Sequence, residues 1–197
     1  MVRSFALADL FTFGNASCGT GAIFLCLSYL EENNDSYLWW AFILLPLALI
    51  FDVLDGKIAR LRNKHSMLGA DLDSLADVVS FGVAPAVIGF TLGLRGGWDI
   101  LCLIFFVACG ISRLARYNVT AAALSDESGK VKYYEGTPIP SSLFLVMLWV
   151  LAFSQGRTGE SVWWGSSFLF WKFHWYSLLY VLNGCTMISA TLRIPKP

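Results

Sequence analysis

Residues 51–82 read FDVLDGKIARLRNKHSMLGADLDSLADVVSFG, and this stretch places five aspartates in the middle of apolar sequence. The apolar runs on either side are long enough for helices that cross a bilayer, so residues 37–61 and 68–93 are predicted to form two spans with a short connection. An ionised side chain at the bilayer centre costs at least about 2.5–3.5 kcal/mol. Several carboxylates in one membrane hairpin therefore indicate a functional site.

The composition of the whole chain supports a membrane protein. Of the 197 residues, 56% are hydrophobic and 14% are charged, whereas soluble domains average about 25% charged residues. The net charge is zero, so no basic patch indicates a nucleic-acid partner. We predict an all-α integral membrane protein with one domain over 1–197. A short interfacial helix over 4–12 is expected before the first span, and the six predicted transmembrane helices are 15–30, 37–61, 68–93, 98–122, 138–155 and 167–192.

The positive charges predict the orientation of these six spans. Basic residues concentrate on the cytoplasmic side of membrane proteins. One side of the predicted topology collects eleven of them, and the other side holds only Arg95, Arg157 and Lys172. Both termini are therefore expected in the cytoplasm, and the connection between spans two and three faces the same side. The eleven are Arg3, Lys57, Arg60, Arg62, Lys64, Arg113, Arg116, Lys130, Lys132, Arg193 and Lys196.

The spacing of four aspartates indicates a metal site. Asp52 and Asp55 are three residues apart, and Asp73 and Asp77 are four apart, so each pair shares one helix face. An antiparallel hairpin would bring all four to a similar depth. Two divalent cations would neutralise four carboxylates, and ligands that are all oxygen favour Mg²⁺ or Mn²⁺.

These carboxylates have two alternative interpretations. Salt bridges with Lys57, Arg60 and Arg62 would neutralise some of them, but too few cations lie at the depth of Asp52 and Asp73. An ion-coupled transporter also uses intramembrane carboxylates. Such transporters often contain repeats and broken helices in two halves, and the sequence indicates neither.

The pattern of this hairpin also resembles a known family signature. The residues Asp52-x-x-Asp55-Gly56-x-x-Ala59-Arg60, eight further residues, and Gly69-x-x-x-Asp73-x-x-x-Asp77 are similar to the signature of the CDP-alcohol phosphotransferase family. The resemblance implies a two-metal site that transfers a phosphatidyl group from CDP-diacylglycerol to an alcohol and releases CMP. It also implies a homodimer in contact with membrane lipids.

The same resemblance implies roles for individual residues. Asp52, Asp55 and Asp73 would hold metal, and Asp77 would both contact the second metal and act as the general base. Asn15 would border the nucleotide, although an Asn at this position could instead cap a helix. The remaining positions implied to bind the CDP-lipid are Gly56, Ala59, Arg60 and Gly69.

The acceptor alcohol is predicted from other segments. Residues 80–86, 112–118 and 134–140 resemble the serine-using branch of the family, and residues 61–63 resemble its fungal members, which implies the endoplasmic reticulum. Serine carries a carboxylate, and guanidinium groups bind carboxylates in a fixed orientation. Arg113 and Arg116 are therefore predicted to bind L-serine, unless they serve only as topology anchors; Asn118 and Glu135 are candidates for supporting contacts. A glycerol phosphate or inositol acceptor remains the alternative.

Overall fold

The computed structural model describes residues 7–61, 67–124, 133–159, 165–168, 171–189, 191 and 193–195. The chain divides into two compact units, Met1–Ala84 and Pro85–Pro197. Seven α-helices and four short strands are present in the described ranges. The helices are α1 (Leu7–Glu32), α2 (Asp35–Leu61), α3 (Met67–Asp77), α4 (Ala84–Leu92), α5 (Gly97–Leu124), α6 (Leu143–Ser154) and α7 (Ser177–Ile188); the strands are β1 (Tyr133–Glu135), β2 (Gly165–Phe168), β3 (Trp171–His174) and β4 (Arg193–Pro195).

The first unit begins with a tight helical hairpin. Asn33 takes a left-handed conformation (φ 52°) at the end of α1, which is a common way to end a helix. The side chain of Asn34 then accepts a hydrogen bond of 3.0 Å from the backbone N–H of Ser36 and so caps the start of α2. Because only two residues separate the helices, α1 and α2 lie side by side in opposite directions.

Small residues let α1 and α2 approach closely. Cys18, Ala22 and Cys26 recur every four residues along α1 and are buried, as are Ala41 and Ala48 of α2. Helices in membranes commonly pack through such small residues. α1 also packs against α3 and against the turn that follows it. The first helix therefore contacts both of the helices that carry the aspartates.

The expected interfacial helix over 4–12 is not a separate element. Residues 7–32 form one continuous helix, and residues 4–6 lie outside the described part. The helix continues through Gly14 and Asn15 because both positions make contacts inside the unit: a side chain at Gly14 would touch the Phe51 ring, and Asn15 bonds to Asp77. The prediction of a break before residue 15 was therefore wrong, and Asn15 is not a helix cap.

The predicted third span is one helical run with a wide turn inside it. α3 leads into a π-helical turn over Val78–Val83 and then into α4. Pro85 lacks a backbone N–H and cannot bond the carbonyl four residues earlier, so the hydrogen-bond pattern of the α-helix is interrupted there. The N–H of Ala84 bonds instead to the carbonyl of Val79, five residues back. Such π turns occur frequently at functional sites, and this one begins directly after Asp77.

The second unit is built around aromatic side chains of α5, α6 and α7. Trp149 and Tyr180 are fully buried, and the indole Nε1 of Trp149 donates a 2.9 Å hydrogen bond to the Tyr180 hydroxyl. That hydroxyl in turn donates to the carbonyl of Pro85 at 2.8 Å. Phe106 packs edge-on against the Tyr180 ring. The polar atoms of both large side chains are thus satisfied within an apolar core.

A β-hairpin replaces the start of the predicted sixth span. β2 and β3 pair antiparallel, so the helix begins at Ser177 rather than at residue 167. Asp99, which is fully buried, holds this hairpin. Its Oδ1 accepts the backbone N–H of His174 at 2.8 Å, and its Oδ2 lies 2.6 Å from the ring Nδ1 of the same histidine. Gly96 is required beside it, because a Cβ there would overlap the carbonyl of Lys172.

Four helical stretches in the described residues are long and apolar enough to cross a membrane: Asp9–Glu32, Asp35–Ile58, Leu68–Leu92 and Gly97–Val119. They correspond to the first four predicted spans, and they make this an integral membrane protein. The fifth and sixth predictions correspond to shorter apolar helices, Ile139–Ser154 and Ser177–Ile188. A bilayer core about 30 Å thick needs roughly 20 helical residues, and the described parts of these two helices are shorter than that.

Candidate active site

Three of the four predicted metal ligands meet in the first unit. Carboxylate oxygens of Asp52 and Asp55 on α2 and of Asp73 on α3 all lie within 4.8 Å of one another. Asp55 is buried, whereas Asp52 and Asp73 are partly exposed. Asp71 is exposed, as its two-residue offset from Asp73 predicts. The hairpin of α2 and α3 therefore brings three of the four predicted carboxylates together.

Asp77 lies outside this group of three and has a different partner. It is buried, with 8% of its surface exposed, and its Oδ1 accepts a hydrogen bond of 3.0 Å from Nδ2 of Asn15. It still interacts electrostatically with Asp52, Asp55 and Asp73. The arrangement is thus a trio of carboxylates with a fourth one nearby, held by α1.

A second residue of α1 contacts the trio itself. The hydroxyl of Thr12 donates a hydrogen bond of 2.8 Å to Oδ2 of Asp55, and both side chains are buried. Thr12 and Asn15 are three residues apart and therefore share one face of the helix. Each donates to a carboxylate on a different helix, so α1 connects α2 and α3 at the level of the site.

The contact between α1 and the π turn is close. The Ser80 hydroxyl donates a 2.8 Å hydrogen bond to the backbone carbonyl of Asn15. Gly19, one turn further along α1, faces the backbone of Ser80, and a Cβ at Gly19 would lie 2.7 Å from the Cα of Ser80. Only glycine allows the two helices to approach this closely. The close packing fixes the position of Asn15 relative to Asp77.

The chemistry of the trio fits a divalent cation. Three carboxylates this close repel one another unless positive charge is placed between them. Among the described residues Oδ1 of Asp73 is buried and has no hydrogen-bond partner, which leaves an oxygen free to ligate. The donors are all carboxylate oxygens, the type that Mg²⁺ and Mn²⁺ prefer. Asp52, Asp55 and Asp73 therefore suit a hard divalent ion.

The residues predicted to bind the CDP-lipid are placed only in part. Gly56 of α2 and Gly69 of α3 are partly exposed, within four residues of an aspartate of the trio. Ala59 and Arg60 belong to α2, but their side chains lie outside the described part. Asn15, the fifth, is fully buried and directs its amide at Asp77 rather than at open space. Its predicted role beside the nucleotide stays a prediction.

The residues predicted to bind serine lie in the second unit. Arg113, Arg116 and Asn118 all belong to α5. Arg116 is exposed, and its Nη1 donates a 3.1 Å hydrogen bond to the carbonyl of Ile188 at the end of α7. Glu135 belongs to β1, which pairs with β4, and its side chain lies outside the described part. Their placement around an acceptor stays a prediction.

Neither Thr12 nor the contact between His174 and Asp99 was predicted from the sequence. Thr12 gave a usable signal, because a Thr three residues before Asn15 puts two polar side chains on one face of an apolar helix. His174 is buried against Asp99. No spacing rule connects those two residues, which are 75 positions apart. Only the hairpin β2–β3 brings them together.

Comparisons with known proteins indicate one enzyme family. A family model described as CDP-alcohol phosphatidyltransferase matches residues 5–182. The chain is 42% identical to the CDP-diacylglycerol–serine O-phosphatidyltransferase of Saccharomyces cerevisiae. That alignment covers the whole of this chain and 73% of the yeast protein. It is 38% identical to the enzyme of the same name from Helicobacter pylori, over 95% of this chain and 71% of that protein. An archaetidylserine synthase from Methanothermobacter thermautotrophicus is 39% identical over 68% of this chain and 53% of its own length.

Proposed function

The chain belongs to the CDP-alcohol phosphatidyltransferase family, and we propose that it is a phosphatidylserine synthase. In this reaction the phosphatidyl group of CDP-diacylglycerol passes to the hydroxyl of L-serine, and CMP is released. The observation that carries the proposal is the carboxylate trio beside Asp77, in a chain similar along its whole length to a yeast enzyme with this name. Bacterial relatives carry the same name, and an archaeal relative carries a serine-related one.

The proposed cofactors are two divalent cations, Mn²⁺ or Mg²⁺. The family generally depends on divalent metals, and the buried Oδ1 of Asp73 without a partner among the described residues supports binding at the trio. Asp52, Asp55 and Asp73 would hold them, with Asp77 at the second ion. When bound, the cations would neutralise the phosphate oxygens and the leaving CMP.

In the proposed mechanism Asp77 is the general base. The hydroxyl oxygen of serine attacks the phosphorus that carries the diacylglycerol, and the bond from that phosphorus to the oxygen of CMP breaks. The proton of the hydroxyl passes to Asp77. Asn15 donates to Oδ1 of this carboxylate, and we assign the proton to Oδ2.

The proposed binding sites follow from the charges of the two substrates. Arg60 would bind the phosphates of the nucleotide, and Gly56, Ala59 and Gly69 would let the nucleotide approach the helix backbone, with Asn15 at its border. Serine adds a carboxylate, which suits the guanidinium groups of Arg113 and Arg116. The hydrogen bond from Arg116 to the end of α7 uses one of the five N–H donors of the guanidinium group. Asn118 would support the acceptor.

The choice of acceptor is tested by exchanging it. Purified protein in detergent is given CDP-diacylglycerol and Mn²⁺ with radiolabelled serine, glycerol 3-phosphate, inositol or inositol phosphate in separate reactions. Label should enter the lipid phase only with serine. Transfer to inositol phosphate or glycerol phosphate without transfer to serine would keep the family chemistry and refute the proposed acceptor.

We further propose six spans with both termini in the cytoplasm of an endoplasmic reticulum membrane, and a homodimer. The distribution of eleven basic residues against three supports the orientation, and the similarity to the yeast enzyme supports the compartment. The family match continues from residue 5 to residue 182, which supports one functional domain. Native mass spectrometry from lipid nanodiscs tests the homodimer directly.

The position of Gln155, exposed just after α6, tests whether the shorter helices cross. In a variant whose five native cysteines are replaced by alanine, Gln155→Cys is treated with a membrane-impermeant maleimide in sealed microsomes, whose cytoplasmic face is outside. The proposed topology predicts labelling only after detergent is added. Labelling in the sealed microsomes would mean that α6 returns to the cytoplasmic side.

A further inference from the structure

The first helix carries two buried hydrogen-bond donors that both end on carboxylates of the site. Thr12 donates to Oδ2 of Asp55 at 2.8 Å, and Asn15 donates to Oδ1 of Asp77 at 3.0 Å. The acceptors belong to different helices, α2 and α3. Three-residue spacing places both donors on one face of α1, and that face is directed at the site.

We propose that Thr12 is a positioning residue for Asp55 and that Asn15 is a positioning residue for Asp77. The inference rests on the proposed function, since it gives both residues a task in the same reaction. A carboxylate can rotate about its last bond, because that torsion is broad. A donor on one oxygen stops the rotation and fixes the direction in which the carboxylate faces a cation at Asp55 or a proton at Asp77. The backbone of Gly56 also bonds to the Asp55 carboxylate, and Thr12 holds it from the neighbouring helix.

Burial makes these two bonds effective. Thr12 is 6% exposed and Asn15 is 0% exposed, while Asp55 and Asp77 are 5% and 8% exposed. Water has little access to any of the four side chains and cannot replace a donor that is removed. The two donors therefore control the carboxylates more tightly than a surface contact would.

The amide of Asn15 is used in a way that simple helix packing does not explain. Its nitrogen is committed to Asp77, and among the described residues its buried Oδ1 has no partner. An Asn that served only to join two helices would be expected to satisfy both ends of its amide, because a buried unsatisfied polar atom is unfavourable. Here the orientation of the amide is set by the carboxylate.

The backbone around Asn15 is held as firmly as its side chain. Ser80, three residues after Asp77, donates to the carbonyl of Asn15, and Gly19 allows the close approach. The pair Asn15 and Asp77 is thus fixed from both helices. Partners of groups that bind metal commonly act in this way, and their loss typically reduces metal affinity or activity by about 10–100-fold.

The test for Thr12 measures metal binding without turnover. Thr12→Val keeps the shape of the side chain and removes the donor, and Thr12→Ser keeps the donor. Thr91→Val is the matched control, since Thr91 is equally buried and its hydroxyl has no partner among the described residues. Mn²⁺ affinity is measured by electron paramagnetic resonance on purified protein with the metal alone.

We expect Thr12→Val to weaken Mn²⁺ binding by about 10-fold or more, with wild-type affinity in Thr12→Ser and Thr91→Val. Unchanged affinity in Thr12→Val, or an equal loss in Thr12→Ser, would overturn the assignment. If Thr12→Val does not fold, Thr12→Ala removes the same hydroxyl with a smaller side chain, and its Mn²⁺ affinity is compared with that of wild type in the same way.

Asn15 is tested by separating turnover from metal binding. Asn15→Leu has a similar volume and no donor, so kcat should fall by about 10-fold or more. Mn²⁺ affinity should fall by less than kcat, because Asp52, Asp55 and Asp73 keep their positions. Equal losses in both quantities, or no loss in kcat, would contradict a role through Asp77. The electron paramagnetic resonance measurement of Mn²⁺ binding requires neither substrate. Wild-type protein that binds Mn²⁺ but makes no phosphatidylserine would refute the proposed function and leave the Thr12 result valid.

Discussion

Asn15 and Asp77 are 62 positions apart in the chain, and their side chains are joined by a buried hydrogen bond of 3.0 Å. Three of the four predicted ligands are grouped within 4.8 Å, and Asp77 lies outside that group. Asp55, one of the three, accepts a similar hydrogen bond from Thr12. Donors of α1 therefore hold one carboxylate inside the group and one beside it.

The assignment of Asp77 as the base predicts the effect of Asp77→Asn. The amide has nearly the same shape but cannot take a proton, so kcat should fall by about 10²–10⁴-fold. Mn²⁺ binding at the trio should be partly retained, since Asp77 is not one of its three members. Asp71→Asn changes an exposed carboxylate of the same helix and should leave kcat unchanged. Turnover of Asp77→Asn close to that of wild type would rule out the base.

Arg116 is predicted to affect serine more than the lipid. Arg116→Lys keeps the positive charge but loses the paired donors that bind a carboxylate. The KM for serine should rise by about tenfold while kcat and the KM for CDP-diacylglycerol change little, because binding common to ground and transition states is lost. Arg157→Lys, an exposed arginine beyond α6, is the control. An equal rise in both KM values would remove Arg116 from the acceptor site.

Gly19 is predicted to be required for both stability and activity. A methyl group at Gly19 would overlap Ser80, and overpacking of this kind costs about 1–3 kcal/mol. Gly19→Ala should lower the Tm in detergent and reduce kcat, because α1 must move and carry Asn15 with it. Gly21→Ala is the control on the same helix, since its methyl would meet only the flexible end of Leu44. Matching behaviour of the two variants would show that the α1–Ser80 contact is not needed.

Asp99 is predicted to affect stability without affecting the chemistry. It accepts hydrogen bonds from the backbone N–H groups of Gly96 and His174 and contacts the His174 ring. Asp99→Asn removes the charge and part of this set, which should cost about 1.5–3 kcal/mol and lower the Tm by several degrees. Both KM values should stay unchanged. Asp35→Asn, at an exposed position in α2, is the control and should change neither the Tm nor the KM values. An unchanged Tm in Asp99→Asn would mean that the β2–β3 hairpin does not depend on Asp99.

The sequence predicted the features that depend on local spacing. The lengths of the apolar runs predicted the first four membrane helices. The intervals of three and four residues between aspartates predicted that Asp52, Asp55 and Asp73 lie on facing helix surfaces. Features that depend on distant contacts were not accessible. Nothing local requires α1 to continue through Gly14 and Asn15, because its partner Asp77 is 62 residues away. The β2–β3 hairpin was read as helix, since an aromatic-rich run such as 168–175 suits a membrane edge as well as a strand.

CMP release from CDP-diacylglycerol by the purified protein tests whether this protein forms phosphatidylserine at the aspartate site. The reactions contain Mn²⁺ or Mg²⁺, with or without serine and with or without a chelator. We predict CMP release that requires serine, stops when the chelator is added, and yields one phosphatidylserine per CMP. CMP release that is independent of serine would contradict the proposed acceptor, and no CMP release with any alcohol would contradict the phosphatidyl transfer itself.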